Sequence, residues 1–194
     1  MGSFEVALYQ TCRDTADRLT KQRTLRQGKA SAHTLPSVTV DPRTSYQMIE
    51  GFGGAFTEAA AVTFYRMPPE ARAEILRAYF DQQQGHGYTL CRTHINSCDF
   101  STGNYACSEV DGDFDLKHFS IAREKQAIIP MIKEAASVAG APLQLFASPW
   151  SPPAWMKTTR RMNRGGKLRP ECRAAWAQCY CRFIEAFAAE GIPF

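Results

Sequence analysis

Residues 143–157 read LQLFASPWSPPAWMK, and this stretch decides how the rest of the chain is interpreted. The apolar run at its start favours a buried strand over residues 143–148. Three prolines follow closely, and proline neither donates to a sheet ladder nor continues a helix. The stretch therefore predicts a strand that ends in an ordered, rigid loop carrying two indoles, Trp150 and Trp155.

Strand-like and helix-like segments alternate on the N-terminal side of this loop and after it. Strands are predicted at 47–56, 88–95 and 143–148, and helices at 57–67, 69–83, 120–139 and from Pro170 to about Gly191. Such alternation is typical of a parallel sheet with helical crossovers, either doubly wound or a TIM barrel. The loops after the second and third strands are long and those before them are short, which favours the barrel, whose active site lies in the loops that follow the strands.

Composition and motifs exclude several classes of protein. The chain has 194 residues, 44% of them hydrophobic, and a formal charge of only +4. The basic run 160–169 contains two glycines and is interpreted as a solvated loop, so no nucleic-acid partner is predicted. No stretch reaches the about 18 apolar residues of a membrane span. The glycines near 51–54 lack the spacing of a dinucleotide fingerprint, and no phosphate loop occurs, so no cofactor is predicted.

Seven cysteines show no zinc-binding spacing, and no metal site is predicted from them. His86 and His94 lack a third ligand, which makes a metal centre there a weak hypothesis. The N-terminus carries no basic start followed by an apolar core, so a cytoplasmic location with reduced thiols is expected.

The two ends of the chain differ from its middle. Residues 1–45 are polar and charge-rich, with short β-like runs at 4–10 and 38–40. Residues 192–194 follow a helix stop and have the composition of the first residues of a fourth strand. A barrel needs eight strands, so the sequence is expected to be the first part of a truncated barrel.

The predicted strand exits carry residues that suit a sugar site. Arg92 lies within the second strand, Asp99 follows it, and Trp150 and Trp155 follow the third strand. Indoles stack on the apolar face of a pyranose, and carboxylates accept hydrogen bonds from its hydroxyls. Each residue also has a structural interpretation: Trp155 could pack the loop, Asp99 could close a turn, and Glu58 could complement a helix dipole.

Three segments, taken together, resemble glycoside hydrolase family 30. They are QMIEGFGGAFTEAAA at 47–61, LCRTHINSCDFS at 90–101, and LFASPWSPPAWMK at 145–157 with MNRGGKL after it. The family includes glucosylceramidase and β-1,6-glucanases. The resemblance implies a (β/α)8 barrel with a β-sandwich side domain. YQTCRDTADRL at 9–19 resembles the opening strand of that sandwich. The fold expected is thus α/β: residues 1–45 as an N-terminal β segment of the sandwich, and 46–194 as the first three βα units of the barrel.

The resemblance also implies roles for three residues. Arg92 matches an arginine that steadies the nucleophile side of the site, Asp99 an aspartate that binds glycone hydroxyls, and Trp150 a tryptophan that lines the same pocket. The family's retaining chemistry uses two glutamates about 5 Å apart. In the family the two glutamates follow strands 4 and 7, which lie beyond the strands predicted here. No catalytic residue is therefore assigned, and neither Glu58 nor Asp99 is proposed as one.

The sequence thus predicts the N-terminal portion of a retaining β-glycoside hydrolase that is inactive alone. Its expected partners are a β-glucoside or glucan substrate and either the remaining half of the barrel or further copies of the chain. One alternative is a non-catalytic sugar-binding or assembly fragment. Another is a fragment that does not fold stably, because a three-stranded sheet has two open edges. Glucosylceramide, a 1,6-linked glucan and simple aryl glucosides all remain open as substrates.

Overall fold

The computed structural model describes residues 5–26, 36 and 38–194, and the chain divides into two compact units, residues 1–47 and 48–194. The described residues of the first unit form four strands of two residues each, which make two antiparallel pairs, β1 with β4 and β2 with β3. The strands are β1 (Glu5–Val6), β2 (Tyr9–Gln10), β3 (Thr20–Lys21) and β4 (Leu25–Arg26).

The structure corrects part of the N-terminal prediction. β1 and β2 lie in the predicted run 4–10, although residue 4 is outside the described residues. Residues 38–40 do not form a strand, and Val38 is exposed. β3 and β4 were not predicted, because their polar sequences have no apolar alternation and are ordered by backbone pairing. Their assignment to a side sandwich stays a prediction.

The second unit is built on a three-stranded parallel sheet in the order β5-β6-β7. Its strands are β5 (Ala55–Phe56), β6 (Leu90–Ile95) and β7 (Gln144–Pro149), and its helices are α1 (Glu58–Tyr65), α2 (Pro69–Phe80), α3 (Ile128–Ala139) and α4 (Arg173–Ala189). Short 3-10 helices lie at Glu124–Gln126, Ala154–Met156 and Pro170–Cys172. The predicted alternation of strands and helices is confirmed.

β5 is much shorter than the predicted strand at 47–56. The chain before it still pairs with β6, because the Phe52 carbonyl accepts from the amides of Thr89 and Leu90. Gly53 passes so close that a Cβ there would lie 1.8 Å from the Leu90 carbonyl oxygen. A glycine is therefore required at this crossing, and the close approach replaces a regular ladder.

The helix boundaries follow local signals in most places. Thr57 caps α1 by accepting from the Ala60 amide, and α2 begins at Pro69 as predicted. α2 ends at Phe80 and not near Gln83, because the Asp81 side chain accepts from the amides of Gln83 and Gln84. The sequence predicts one helical region over 120–139, with Pro130 as a kink or as a boundary between two helices. The structure favours the boundary, because a 3-10 helix ends at Gln126, α3 begins at Ile128, and Pro130 lies in its first turn, where a missing N–H costs nothing.

The last helix and the end of the chain depart from prediction at two points. The spacing of apolar residues in this helix predicts one buried stripe that contains Phe183, Ile184 and Phe187. Phe183 and Phe187 are fully buried in α4, but Ile184 is 46% exposed. Residues 192–194 do not form a strand. Phe194 instead lays its ring on Phe183, with the centroids 5.8 Å apart.

The main core lies between one face of the sheet and the helices. The strands contribute four buried side chains to this core: Phe56, Cys91, Ile95 and Leu145. The helices contribute others, among them Phe183. A second cluster around Trp155 and Trp176 fills the space beneath the long loops. Of the seven cysteines, those at 91, 107, 172 and 179 are buried. Within the described part of the chain, the helices are too short or too polar to cross a bilayer.

Candidate functional site

The alternation of side chains in β6 separates the helix-facing residues from the residues that build the site. Cys91 and Ile95 point into the core, so Arg92 and His94 point to the other side, here called the inner face. The register pairs Arg92 with Ala55 and Phe146, and His94 with Ser148. Because the strands are parallel, the loops that follow them meet at one edge.

Arg92 and Trp150 contact each other on the inner face. The guanidinium carbon lies 5.5 Å from the centre of the Trp150 ring, a cation–π distance. The indole is nevertheless 47% exposed. The Nε of Arg92 and the Oγ of Ser148 are buried and have no hydrogen-bond partner among the described residues. The structure thus brings together two of the three predicted site residues, Arg92 and Trp150. Beside them it leaves two donors, Arg92 Nε and Ser148 Oγ, without a described partner.

Asp99 follows β6 at the same edge and is exposed. Its loop is turned by the Ser101 amide, which donates to the Cys98 carbonyl. In the described part of the chain, the Asp99 carboxylate accepts no hydrogen bond and forms no ion pair. The structure therefore shows neither the turn-closing bond suggested as an alternative nor a contact with Arg92 or Trp150.

Trp155 lies in the second buried cluster, beneath the long loops, and not at the exposed edge. It is 4% exposed, and its Nε1 donates to the Ser108 carbonyl at 3.0 Å. Phe114 meets its ring edge-on at 5.3 Å. Of the two interpretations of Trp155, packing is the one that the structure supports.

Glu58 is engaged by partners that the sequence did not predict. Its carboxylate accepts from Arg123 Nε at 2.5 Å and from the Thr102 amide at 2.7 Å. Burial alone would raise the pKa of Glu58, but the hydrogen bonds from Arg123 and Thr102 outweigh it and lower that pKa. Glu58 does lie in the first turn of α1, yet its main role is to tie α1 to the long loop after β6.

His94 is completely buried, and its two partners fit a neutral ring. Its Nε2 accepts from the Glu58 amide at 3.2 Å, and its Nδ1 lies 2.6 Å from the Asn96 carbonyl oxygen, to which it donates. Burial lowers the pKa of His94, which favours this neutral form. Both ring nitrogens therefore bind backbone groups, and His86 instead stacks near Tyr88 at 5.9 Å.

A second buried acid, Glu124, lies near Glu58 and was not singled out from the sequence. Glu124 is 1% exposed, and Cys107 Sγ lies 3.6 Å from its Oε1. Burial raises the pKa of Glu124 and that of Cys107. Among residues 5–26, 36 and 38–194, no group of three or more His, Cys, Asp or Glu side chains lies close enough together to hold a metal ion.

The basic run 160–169 is more ordered than predicted. It folds back as a hairpin with a bridge between Lys157 and Leu168. Arg160 pairs with Asp111 and donates to the Trp155 carbonyl, to which Arg169 also donates. Two of its cations therefore hold the loop that contains Trp155, while those at 161, 164 and 167 are exposed.

Comparison with known proteins identifies the family. The family profile described as the glycosyl hydrolase family 30 TIM-barrel domain matches residues 49–194. The chain belongs to glycosyl hydrolase family 30. Its three βα units are therefore part of a family 30 TIM barrel, and the resemblance carried by the three sequence segments is confirmed.

Family 30 relatives extend well beyond this chain. It is 35% identical to the lysosomal acid glucosylceramidase of Mus musculus over 162 residues, 81% of the chain and 31% of that protein. The structure of SrfJ from Salmonella typhimurium matches with TM-score 0.74 and 45% identity, over 78% of the chain and 34% of SrfJ. The endo-β1,6-glucanase BT3312 matches with TM-score 0.76 and 29% identity, over 97% and 40%. The chain thus spans about a third of the length of these relatives.

Membership in family 30 indicates where the functional site lies relative to β5, β6 and β7. Active sites of TIM barrels lie at the carboxyl ends of the strands. Arg92, Trp150 and Asp99 all lie in or after β6 and β7 at that edge. The candidate functional site is therefore this edge and its inner face.

Proposed function

We propose that this chain forms the N-terminal wall of the glycone pocket in a retaining β-glycoside hydrolase. The observation that carries the proposal is the half-exposed Trp150 indole, held over Arg92 at the carboxyl edge of a family 30 sheet. A firmly seated indole with one free face is suited to stack on the apolar face of a sugar ring.

The polar groups around Trp150 support the same role. Asp99 is exposed and has no partner in the described part of the chain, so its carboxylate is available to accept from sugar hydroxyls. Arg92 Nε and Ser148 Oγ are buried without a protein partner among the described residues. Leaving such groups buried and unpaired costs free energy, so a side-chain rotation that lets them donate to a bound glycoside, or to a carboxylate beside it, would be favoured.

We propose that the two catalytic carboxylates are supplied from outside residues 1–194. Retaining hydrolysis needs a nucleophile and an acid about 5 Å apart, both open to the scissile bond. Glu58 is buried and held by Arg123 and Thr102, and Glu124 is buried beside Cys107. Neither is poised as a nucleophile, and the role proposed for Asp99 is to bind hydroxyls.

The names of the relatives suggest a substrate class. One is a glucosylceramidase and another an endo-β1,6-glucanase. Both names refer to a glucose unit, and the glucanase name adds a β linkage, so we propose a β-glucoside as the substrate and leave its aglycone undefined.

The test is turnover of an aryl β-glucoside by two purified proteins. The 194-residue chain alone is expected to show none above background, whereas the chain joined to the remaining barrel segment of a family 30 glucosidase is expected to be active. Asp99→Asn should lower the activity of the joined enzyme. Asp115→Asn is the matched control, because Asp115 is exposed and pairs only with Lys117.

Two outcomes would contradict the proposal. Turnover by the chain alone that disappears in Glu58→Gln or Asp99→Asn would place catalysis within these residues. Saturable binding of a β-glucoside by a folded but inactive joined protein would favour the alternative of a sugar-binding module.

A further inference from the structure

Asn96 has a backbone conformation that calls for an explanation. It follows β6 directly, is 1% exposed, and has φ 61°, in the left-handed region. Asparagine tolerates this region better than most residues, but the conformation is still uncommon outside glycine. A buried residue held there has contacts that fix it in place.

The Asn96 side chain supplies those contacts by joining two other loops. Its Nδ2 donates to the Ser151 carbonyl at 2.9 Å, and its Oδ1 accepts from the Cys107 amide at 2.9 Å. A carbonyl needs a donor and an amide needs an acceptor, so the chemistry fixes the orientation of the side-chain amide.

The same residue is connected to the exit of β5 through His94. The Asn96 carbonyl accepts from His94 Nδ1, and His94 Nε2 accepts from the amide of Glu58. One continuous set of hydrogen bonds thus links the residues that follow β5, β6 and β7. His94 must be neutral to accept at Nε2, and its complete burial favours that form.

The bond to Ser151 lies immediately beside Trp150 along the chain. The Ser151 carbonyl belongs to the peptide between Ser151 and Pro152, one residue beyond Trp150, and a residue before proline is already restricted to extended backbone. Fixing that carbonyl therefore limits the backbone at Ser151 and Trp150, and with it the direction in which the indole leaves the chain. Trp150 itself is half exposed, and its ring contacts Arg92. Its orientation therefore depends on that contact and on the backbone beside the Ser151 carbonyl that Asn96 holds.

We infer that Asn96 is a positioning residue, which holds the Trp150 indole over Arg92 through the Ser151 carbonyl, with neutral His94 supporting Asn96. The positioning itself follows from the geometry. Its consequence for sugar binding rests on the proposed function.

The test uses the 194-residue chain labelled with 5-fluorotryptophan, whose three tryptophans give three fluorine resonances. Asn96→Asp keeps the size of the side chain and the acceptor for the Cys107 amide, but it puts a carboxylate against the Ser151 carbonyl. The Trp150 resonance is expected to shift or broaden, while those of Trp155 and Trp176 stay in place. Asn104→Asp, at an exposed position, is the matched control and should move none of them.

A second measurement does not depend on the folding of any variant. In the unmodified chain, the side-chain amide protons of Asn96 should exchange with solvent at least about tenfold more slowly than those of Asn104, because one of them is held in a buried bond. If Asn96→Asp does not fold, this comparison still tests the bond to Ser151 on which the inference depends.

The inference is overturned by an unchanged Trp150 resonance in folded Asn96→Asp, or by equal shifts of all three resonances, which would indicate a general structural effect. Equal exchange rates at Asn96 and Asn104 would also overturn it. If Trp150 responds to Asn96→Asp but not to an added β-glucoside, the positioning stands and the proposed sugar contact fails.

Discussion

Trp150 and Trp155 belong to one proline-rich loop but lie in opposite environments. Trp155 is 4% exposed, with its indole nitrogen bonded and its ring packed on Phe114. Trp150 is 47% exposed and rests on Arg92. The difference separates two tasks: Trp155 stabilises the loop from below, and this leaves Trp150 with an ordered backbone and a free face.

The largest expected effect tests this separation through stability. Trp155→Ala should lower the free energy of unfolding by about 3 to 5 kcal/mol, because it leaves a cavity and an unpaired Ser108 carbonyl. Trp150→Ala should lower it by less than about 1 kcal/mol, since half of the side chain is already in water. Thermal and denaturant unfolding of both variants measures the contrast. Equal losses would show that the two indoles do not differ in role.

The next effect concerns rate in the chain joined to a family 30 barrel segment. Asp99→Asn should raise the barrier by roughly 2 to 4 kcal/mol, on the scale of groups that stabilise a transition state. That corresponds to about thirty- to a thousand-fold in kcat. Trp155→Phe should act mainly on stability. If kcat survives Asp99→Asn and collapses in a folded Trp155→Phe protein, the two environments have been assigned the wrong way round.

A smaller effect is expected at the ion pair that holds the neighbouring loop. Glu58→Gln should lower the free energy of unfolding by about 1 to 3 kcal/mol, a range that allows for solvent screening at Arg123, whose side chain is 35% exposed. Glu70→Gln is the control, because Glu70 lies in the first turn of α2 but is exposed. Similar losses in both variants would mean that the helix dipole, and not Arg123, dominates at Glu58.

The smallest expected effect is a pH dependence that originates at His94. Burial lowers its pKa in the folded state, so the unfolded chain binds the proton more readily. Stability should therefore fall as the pH drops below about 6.5, the ordinary value for histidine, with a slope of at most about 1.4 kcal/mol per pH unit. Urea unfolding between pH 7.5 and 5.5, compared with His94→Gln, measures it. An identical slope in the variant would remove His94 as the cause.

Local patterns predicted much of this fold. The βα alternation, the start of α2 at Pro69 and the end of α3 at Gly140 depend on neighbouring residues, which the sequence displays directly. The pairing of Glu58 with Arg123 joins residues far apart in the chain and carries no local signal. The short β5 follows from the close approach of Gly53 to Leu90, which is equally invisible to periodicity.

The candidate site shows the same division between local and distant information. The strand exits could be located from the sequence, because parallel strands end at one edge. The different environments of Trp150 and Trp155 could not be predicted, since both belong to the same proline-rich loop. What distinguishes them is a carbonyl at Ser108 and a ring at Phe114, both supplied by the loop after β6.

The most direct test of the division between the two indoles is a titration of the fluorotryptophan-labelled chain with methyl β-D-glucoside, followed by fluorine NMR. The Trp150 resonance is expected to move in a saturable way, while those of Trp155 and Trp176 stay fixed, and Trp155 should remain the less accessible to a soluble quencher. A Trp155 resonance that moves while Trp150 stays fixed, or a Trp150 resonance that never responds to the sugar, would contradict the assignment of Trp150 to the sugar and Trp155 to the core.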